Sequence, residues 1–401
     1  MTAVGPTTDD PFGPHNLPWC VYQLSDDIAI GVRLGDHVFN VTAAEQAGLI
    51  DAGGALNAKS LNPYLAQGRT VWTAVRRRLI ELLTDERQRD AVEHLLIPLS
   101  DVELRRPFEV GDYVDFYSSE HHAANVGRIL RPGQPPVLPN WRHLPIGYHG
   151  RAGTVVVSGT PVTRPWGQTP SPDGPVFRPS ARLDIEAELG FVVGPPSELA
   201  EPVSIQDFEA LVFGVVIVND WSARDIQAWE YQPLGPFLGK SFATSISPWV
   251  VELAALEPAR VPAPAQDPEV VAYLREADRF TYRIELEVRL NATVVSRPPF
   301  DTMYWTPAQQ LAHLTVNGAS LRTGDLFASG TISGPAPEQW GSLLELTRGG
   351  AEPLTLADGS TRAFLEDGDT VIIEATAIGA NGTVIGMGAV AGTIMPARAL
   401  S

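Results

Sequence analysis

The run Leu183-Asp184-Ile185-Glu186-Ala187-Glu188-Leu189 sets three acids into an otherwise apolar segment. On a strand, successive side chains alternate faces. Glu186 and Glu188 then project one way with Asp184 beside them, and Leu183, Ile185, Ala187 and Leu189 the other. Carboxylates inside an apolar run are costly unless something cationic pairs with them. One reading is an oxygen-rich site for a hard cation such as Mg²⁺ or Ca²⁺. The other is a solvated strand face.

A second run, Phe213 to Val218, is apolar and ends in Asn219-Asp220-Trp221-Ser222-Ala223-Arg224-Asp225. Chemistry-bearing side chains often sit where a rigid strand gives way to a loop. Equally, Asp220 or Ser222 could cap a helix. Downstream, Lys240 lies in the Gly-rich, aromatic stretch from Gln227 to Phe242. Solvated, it does nothing special; partly buried, it suits oxyanion stabilisation or proton donation. In Asp112-Tyr113-Val114-Asp115-Phe116-Tyr117-Ser118-Ser119-Glu120-His121-His122, Asp115 alternates with Tyr113 and Tyr117, and a His pair follows. Histidine suits general-base work near neutrality, although a tandem pair also fits a surface turn. The stretch Pro139 to Arg151 gathers rings and donors, including Tyr148, that fit a pocket wall or plain loop packing.

Elements must position these groups. Short strands are expected at residues 21–24, 28–32 and 37–41, then a helix whose apolar face is Val71, Trp72, Val75, Leu79, Leu82 and Leu83, with Arg76, Arg77 and Arg78 toward water. Beyond Leu104-Arg105-Arg106-Pro107 the chain is dense in strand signals, at 154–158, 185–193, 212–218, 280–290 and 369–378. A helix is expected over 306–315 and an exposed loop over 257–268. The fold class that follows is β-rich α+β.

Composition narrows the function. The 401 residues carry 29 Lys and Arg against 47 Asp and Glu, a net charge of −18. That balance offers no footprint for nucleic acid or an anionic membrane surface. No apolar run reaches the ~18 residues needed to span a bilayer. The N-terminal MTAVGPTTDDPFG does not read as a signal peptide, so a cytoplasmic location is expected. Cys20 is the single cysteine, which excludes an internal disulfide and a thiolate metal cluster. With 36 Gly and 35 Pro the chain is rich in turns.

Taken together and in order, DYVDFYSSEHHAANVG, LPNWRHLPIGYHGRAGTVVVSGTP, LDIEAELGFVVG, NDWSARDIQAWEYQPLGPFLGKSFATSISPWV and ASGTISGPAPEQWGSLLEL resemble the fumarylacetoacetase family across residues 15–400. The resemblance implies a small SH3-like N-terminal barrel with helices over residues 1–105, then a large mixed β-roll over 106–401. It implies a homodimer acting on a small β-diketo acid. The reaction would be hydrolysis of the carbon–carbon bond of 4-fumarylacetoacetate to fumarate and acetoacetate, the last step of tyrosine and phenylalanine breakdown. By motif, Asp115, Glu186, Glu188 and Asp220 are similar to the ligands of a divalent cation. Four carboxylates and no thiol favour Ca²⁺ or Mg²⁺. His122 matches the general base and Glu345 its orienting partner. Arg131, Arg224, Gln227 and Lys240 match donors around the developing oxyanion and leaving group. Tyr117, Arg131, Gln227, Tyr231 and Thr331 match substrate contacts, with Tyr148 lining the pocket. A second ion near Lys240 and Thr244 is also implied.

One departure from the family pattern is Glu120-His121 beside the base, an extra charge and imidazole able to shift a pH optimum. Two other readings stand against this one. Acylpyruvases, and hydratases or decarboxylases of 2-oxo acids, share the metal set, but they generally lack the N-terminal part and the Asn-Val-Gly and Asn-Trp-Arg runs. A metal-stabilised scaffold without activity would not need His122, Glu345 and Lys240 together.

Overall fold

The computed structural model describes residues 10–399. Most of the N-terminal stretch read for a signal lies outside them. The first part is a five-stranded antiparallel sheet in the order Leu96–Pro98, His37–Asn40, Asp27–Leu34, Trp19–Leu24 and Glu103–Arg105. Helix Arg69–Thr84 shares a core with it through Trp72, Val75, Leu79, Leu82 and Leu83, all buried at helical spacing. Arg76 corrects the expectation that it faces water. It lies four residues after Trp72 and three before Leu79, so helix geometry turns it inward. Its guanidinium donates to the backbone carbonyls of Asn16, at 2.8 Å, and His15.

The larger part is built on a mixed eight-stranded sheet. Its path runs Gly147–His149, Tyr113–Phe116, Leu326–Ala328, Ala187–Val193, Val212–Asp220, Thr244–Ile246 and Val155–Val157, with Val251–Glu252 pairing Val212–Asp220 from the side. Two pairings are parallel, Leu326–Ala328 with Tyr113–Phe116 and Thr244–Ile246 with Val155–Val157. Strand Val212–Asp220 is buried at every position because both faces are covered. Val215 and Ile217 enter a core shared with a second sheet, beside Ile284, Ile373 and Val390. Val216 and Val218 turn to the N-terminal part, beside Trp19, Tyr64 and Trp72. The second sheet runs Thr293–Ser296, Ile284–Leu290, Thr370–Ile378, Val384–Met395 and Val162–Thr163. Trp19 exchanges two 2.8 Å backbone hydrogen bonds with Val250, tying the two parts together.

The helix expected over 306–315 forms at Pro307–Thr315, with a capping box between Thr306 and Gln309. Residues 257–268 are not wholly loop: Arg260–Pro262 pairs with Phe280–Tyr282. Helix Glu120–Leu130 has no counterpart among the expected elements, whereas Arg224–Glu230 is the helix that a cap at Asp220 or Ser222 allowed for, although its cap falls elsewhere. Among the described residues no helix is long and apolar enough to cross a membrane.

Gly330 pins the loop after Leu326–Ala328 to the strand that carries Asp115. Its φ of +76° suits glycine, and a Cβ there would lie 2.1 Å from the Phe116 carbonyl oxygen. Gly330→Ala should therefore cost about 1–3 kcal/mol. Urea unfolding should show it as a lowered midpoint at unchanged slope.

Candidate active site and metal centre

The strand ends of the large sheet converge at one edge. Asp115 sits late in Tyr113–Phe116, Asp220 ends Val212–Asp220, and Thr244 opens its strand opposite Asp220. Alternation separates the acids from the core: Val114, Phe116 and Leu189 enter the main core, while Asp115 and Glu188 take the other face. The expected strand through Glu186 is broken. Leu183–Asp184 pairs with Ser222–Ala223, and regular pairing resumes at Ala187. At the break the Glu186 N–H donates to the Asn219 side chain at 3.2 Å, so Glu186 is aimed by a local bond rather than by the pleat alone.

Asp115, Glu186 and Asp220 each bring a carboxylate oxygen to within 4.8 Å of the others, and all three are buried. Glu188 is fully buried beside them, and neither of its oxygens has a hydrogen-bond partner among the described residues. Asp115 Oδ1 is likewise unpartnered. Lys240, 5% exposed, is no solvated loop lysine. Its ammonium bonds Glu186 and lies 2.9 Å from Asp220 Oδ2. Thr244 donates to Asp220 Oδ1 at 2.7 Å, and the Tyr148 hydroxyl to Oδ2 at 3.2 Å. Arg224 places Nε 2.7 Å from Asp184 and Nη1 2.7 Å from Glu186. Neither Asp220 nor Ser222 caps the helix that begins at Arg224; Ala223 holds that position, with no side-chain cap.

The charges here do not balance. Among the described residues, the ion pairs of Asp115, Asp184, Glu186, Glu188 and Asp220 are with Lys240 and Arg224, leaving three carboxylates uncompensated. Burial pushes the Asp115 carboxyl well above the usual carboxylate range, and Asp220 adds to it. Burial does the same to Glu188, with Asp115, Glu186 and Asp220 adding. Burial also opposes ionisation of Glu186, but Lys240 and Arg224 outweigh it and hold that carboxyl low. Lys240 is itself held charged, since Asp220 and Glu186 outweigh its burial. Oxygen-only and over-charged, with Glu188 and one Asp115 oxygen left unbonded among the described residues, this donor set fits a hard divalent cation.

The second cluster is a dyad. His122 and Glu345 are both buried, with Nδ1 2.7 Å from Oε2. The His pair is not in a surface turn: both residues lie in the first turn of helix Glu120–Leu130. Ser119 caps it, accepting from the His122 N–H at 3.2 Å. His122 is nonetheless the member of the pair that meets Glu345. The Glu345 carboxylate also accepts from Asn125 at 2.9 Å, Ser333 at 2.9 Å and Ser342 at 2.8 Å. Burial raises its carboxyl, but His122 and these donors outweigh that and leave it below the usual value. An ionised carboxylate only accepts, so the His122 proton sits on Nδ1 and Nε2 is left as the acceptor. Glu120 is engaged by Arg142, which absorbs the extra charge beside the base.

The remaining expected residues gather nearby with donors to spare. Tyr117 stands edge-on to the His122 ring at 5.3 Å. Arg131 ends the dyad helix and donates to the Pro136 carbonyl at 3.3 Å, while its Nε, Arg224 Nη2 and Thr331 Oγ1 are buried without partners among the described residues. Gln227 accepts from Arg224 at 3.1 Å. Tyr231, at the end of helix Arg224–Glu230, is half-buried, with its hydroxyl bonded by Gln232 at 3.1 Å. Tyr113, Tyr148, Arg151, Asp220, Lys240 and Thr244 line a cleft of about 120 Å³. The stretch Pro139 to Arg151 thus divides: Tyr148 and Arg151 wall the cleft, while Trp141 is buried and donates to the Tyr117 carbonyl at 2.7 Å. Sequence reasoning did not single out Asn125, Ser333 or Ser342. The Ser342-x-x-Glu345 spacing, a capping signature, could have found Ser342.

The raised Asp115 and Glu188 carboxyls fix a sign for stability. Folded, they bind protons more tightly than when unfolded, so cation-free protein loses stability as pH rises above the ordinary carboxylate range of about 4. Urea unfolding of chelator-treated protein should show less stability at pH 8 than at pH 6. Asp115→Asn should flatten that slope, and saturating Ca²⁺ or Mg²⁺ should abolish it.

Comparison with known proteins agrees with this geometry. Residues 15–107 match the family described as fumarylacetoacetase N-terminal, and residues 113–395 the family described as fumarylacetoacetate hydrolase C-terminal. The chain is 47% identical to a rice fumarylacetoacetase, covering 96% of this chain and 95% of that one. It is 44% identical to the human fumarylacetoacetase, covering 99% of each. A fumarylacetoacetate hydrolase structure from Exiguobacterium antarcticum superposes with a TM-score of 0.58 at 17% identity, over 95% of this chain and 100% of that one, a likeness of fold. The chain belongs to the fumarylacetoacetase family of hydrolases.

Proposed function

We propose that this protein hydrolyses the carbon–carbon bond of 4-fumarylacetoacetate, giving fumarate and acetoacetate at the end of tyrosine and phenylalanine breakdown. The observation that carries the reading is the buried His122–Glu345 dyad set among an over-charged carboxylate cluster and unpartnered Arg and Thr donors. His122 Nε2 takes a proton from water as that water attacks the carbonyl at the fumaryl end, and Glu345 steadies the imidazolium that forms. Arg131, Gln227 and Lys240 stabilise the tetrahedral oxyanion, with Arg224 beside them. The bond to the acetoacetate carbon then breaks, and Lys240, or a water beside it, returns a proton to that carbon. Tyr117, Arg131, Tyr148, Tyr231 and Thr331 hold the substrate. A divalent cation, Ca²⁺ or Mg²⁺, held by Asp115, Glu186, Glu188 and Asp220 would supply Lewis acidity toward negative oxygen on the leaving half. A second ion beside Lys240 and Thr244 belongs to the same proposal, as do a homodimeric, cytoplasmic enzyme and a division of the chain near residue 105.

The direct test follows loss of diketone absorbance with fumarylacetoacetate and with an acylpyruvate, each with and without chelator. The reading requires hydrolysis of the first in preference to the second, lost on chelation. Preference for the acylpyruvate would overturn it. His122→Ala should lower kcat by about 10²–10⁴ while cation binding persists. His121→Ala should stay within a few-fold of the parent. Arg131→Ala should act mainly by raising KM, since a charge-assisted contact to a substrate carboxylate is lost.

A further inference from the structure

Asp184 takes no part in the chemistry above, yet it accepts as many hydrogen bonds as Glu345 does. It is completely buried. Oδ1 accepts from the N–H groups of Ile185 and Leu343, each at 2.7 Å. Oδ2 accepts from the Leu344 N–H at 3.0 Å and from Arg224 Nε at 2.7 Å. Two bonds on each oxygen use the full capacity of a carboxylate. The partners lie on different sides of the site. Leu343 and Leu344 open the four-residue helical turn Leu343–Leu346, whose third residue is Glu345. Arg224 carries Glu186 on its other arm.

A turn this short does not hold itself, and its first N–H groups have no partner within it. Ser342 anchors one of them, accepting from the Glu345 N–H at 3.3 Å; Asp184 anchors the other two. From these contacts we infer that Asp184 is a positioning residue, one that fixes the Glu345 turn to the Arg224–Glu186 pair so that the general base and the carboxylate cluster share one frame. The inference rests on the reading of His122 and Glu345 as the catalytic dyad. Its physical content is distance: a catalytic group displaced by about 1 Å can cost on the order of 10²-fold in rate.

The test is a double-mutant cycle on the cation-loaded enzyme with fumarylacetoacetate, using Asp184→Asn, Glu345→Gln and the pair. An amide at 184 presents donors where two of the four partners also donate, so the turn loosens. Asp184→Asn should lower kcat by about 10–100-fold with KM within about 3-fold. In the Glu345→Gln background the same change should cost less than about 3-fold, because the group it positions is already disabled. An equal factor in both backgrounds, or a loss carried by KM, would overturn the inference. Should Asp184→Asn fail to fold, Asp184→Ser, which removes the carboxylate bridging the turn and Arg224, enters the same cycle with the same criterion. A Glu345→Gln enzyme of unimpaired kcat would instead remove the dyad reading beneath it.

Discussion

Burying more carboxylates than cations is the constraint on which the rest of this structure depends. Five acids share a water-poor edge of the large sheet with Lys240 and Arg224. Left as anions without further compensation, they would cost more than their mutual geometry returns. Protons on Asp115 and Glu188, or a divalent cation, would relieve that cost, and only the cation would add Lewis acidity to the site. The site is therefore poised for a ligand by charge excess, and folding and cation binding would be linked.

The architecture gives that excess a rigid setting. Strands buried on both faces cannot shift without breaking two cores, which is why Asp220 and Glu188 hold their places at strand positions. The dyad is built differently. His122 stands on the first turn of a helix capped by Ser119 and Glu345 on a four-residue turn anchored by side-chain bonds. Asp184 and Arg224 are where the rigid strands and the short turns meet.

Much of this was readable in the residues. The apolar run before Asp220 and the alternation around Glu188 followed from the two-residue period of a strand. The helix over residues 69–84 followed from apolar spacing. What escaped had competing physics. Glu186 was placed by a period-2 pattern, yet the strand breaks there because Asn219 takes its N–H. Arg76 looked like a surface arginine because its charge type suggested water, but two carbonyls satisfy it inside. The His122 helix was hidden by the polar residues that begin it, although Ser119 and the alanines after the pair are a helix start. Asp184 was visible as an acid beside two others, but nothing local says that its partners lie some 160 residues away, at Leu343 and Leu344. The family resemblance supplied roles that spacing alone did not, above all for Arg131, Gln227 and Thr331.

Proton release on cation binding tests the central claim most directly. Titration calorimetry of chelator-stripped protein with Ca²⁺ and Mg²⁺, repeated at pH 7 in buffers of different ionisation enthalpy, reads the protons displaced per ion. Because Asp115 and Glu188 are driven toward protonation by burial and neighbouring charge, binding should expel protons. Asp115→Asn should reduce that number. Binding with no proton exchange, or no binding by either ion, would contradict the account.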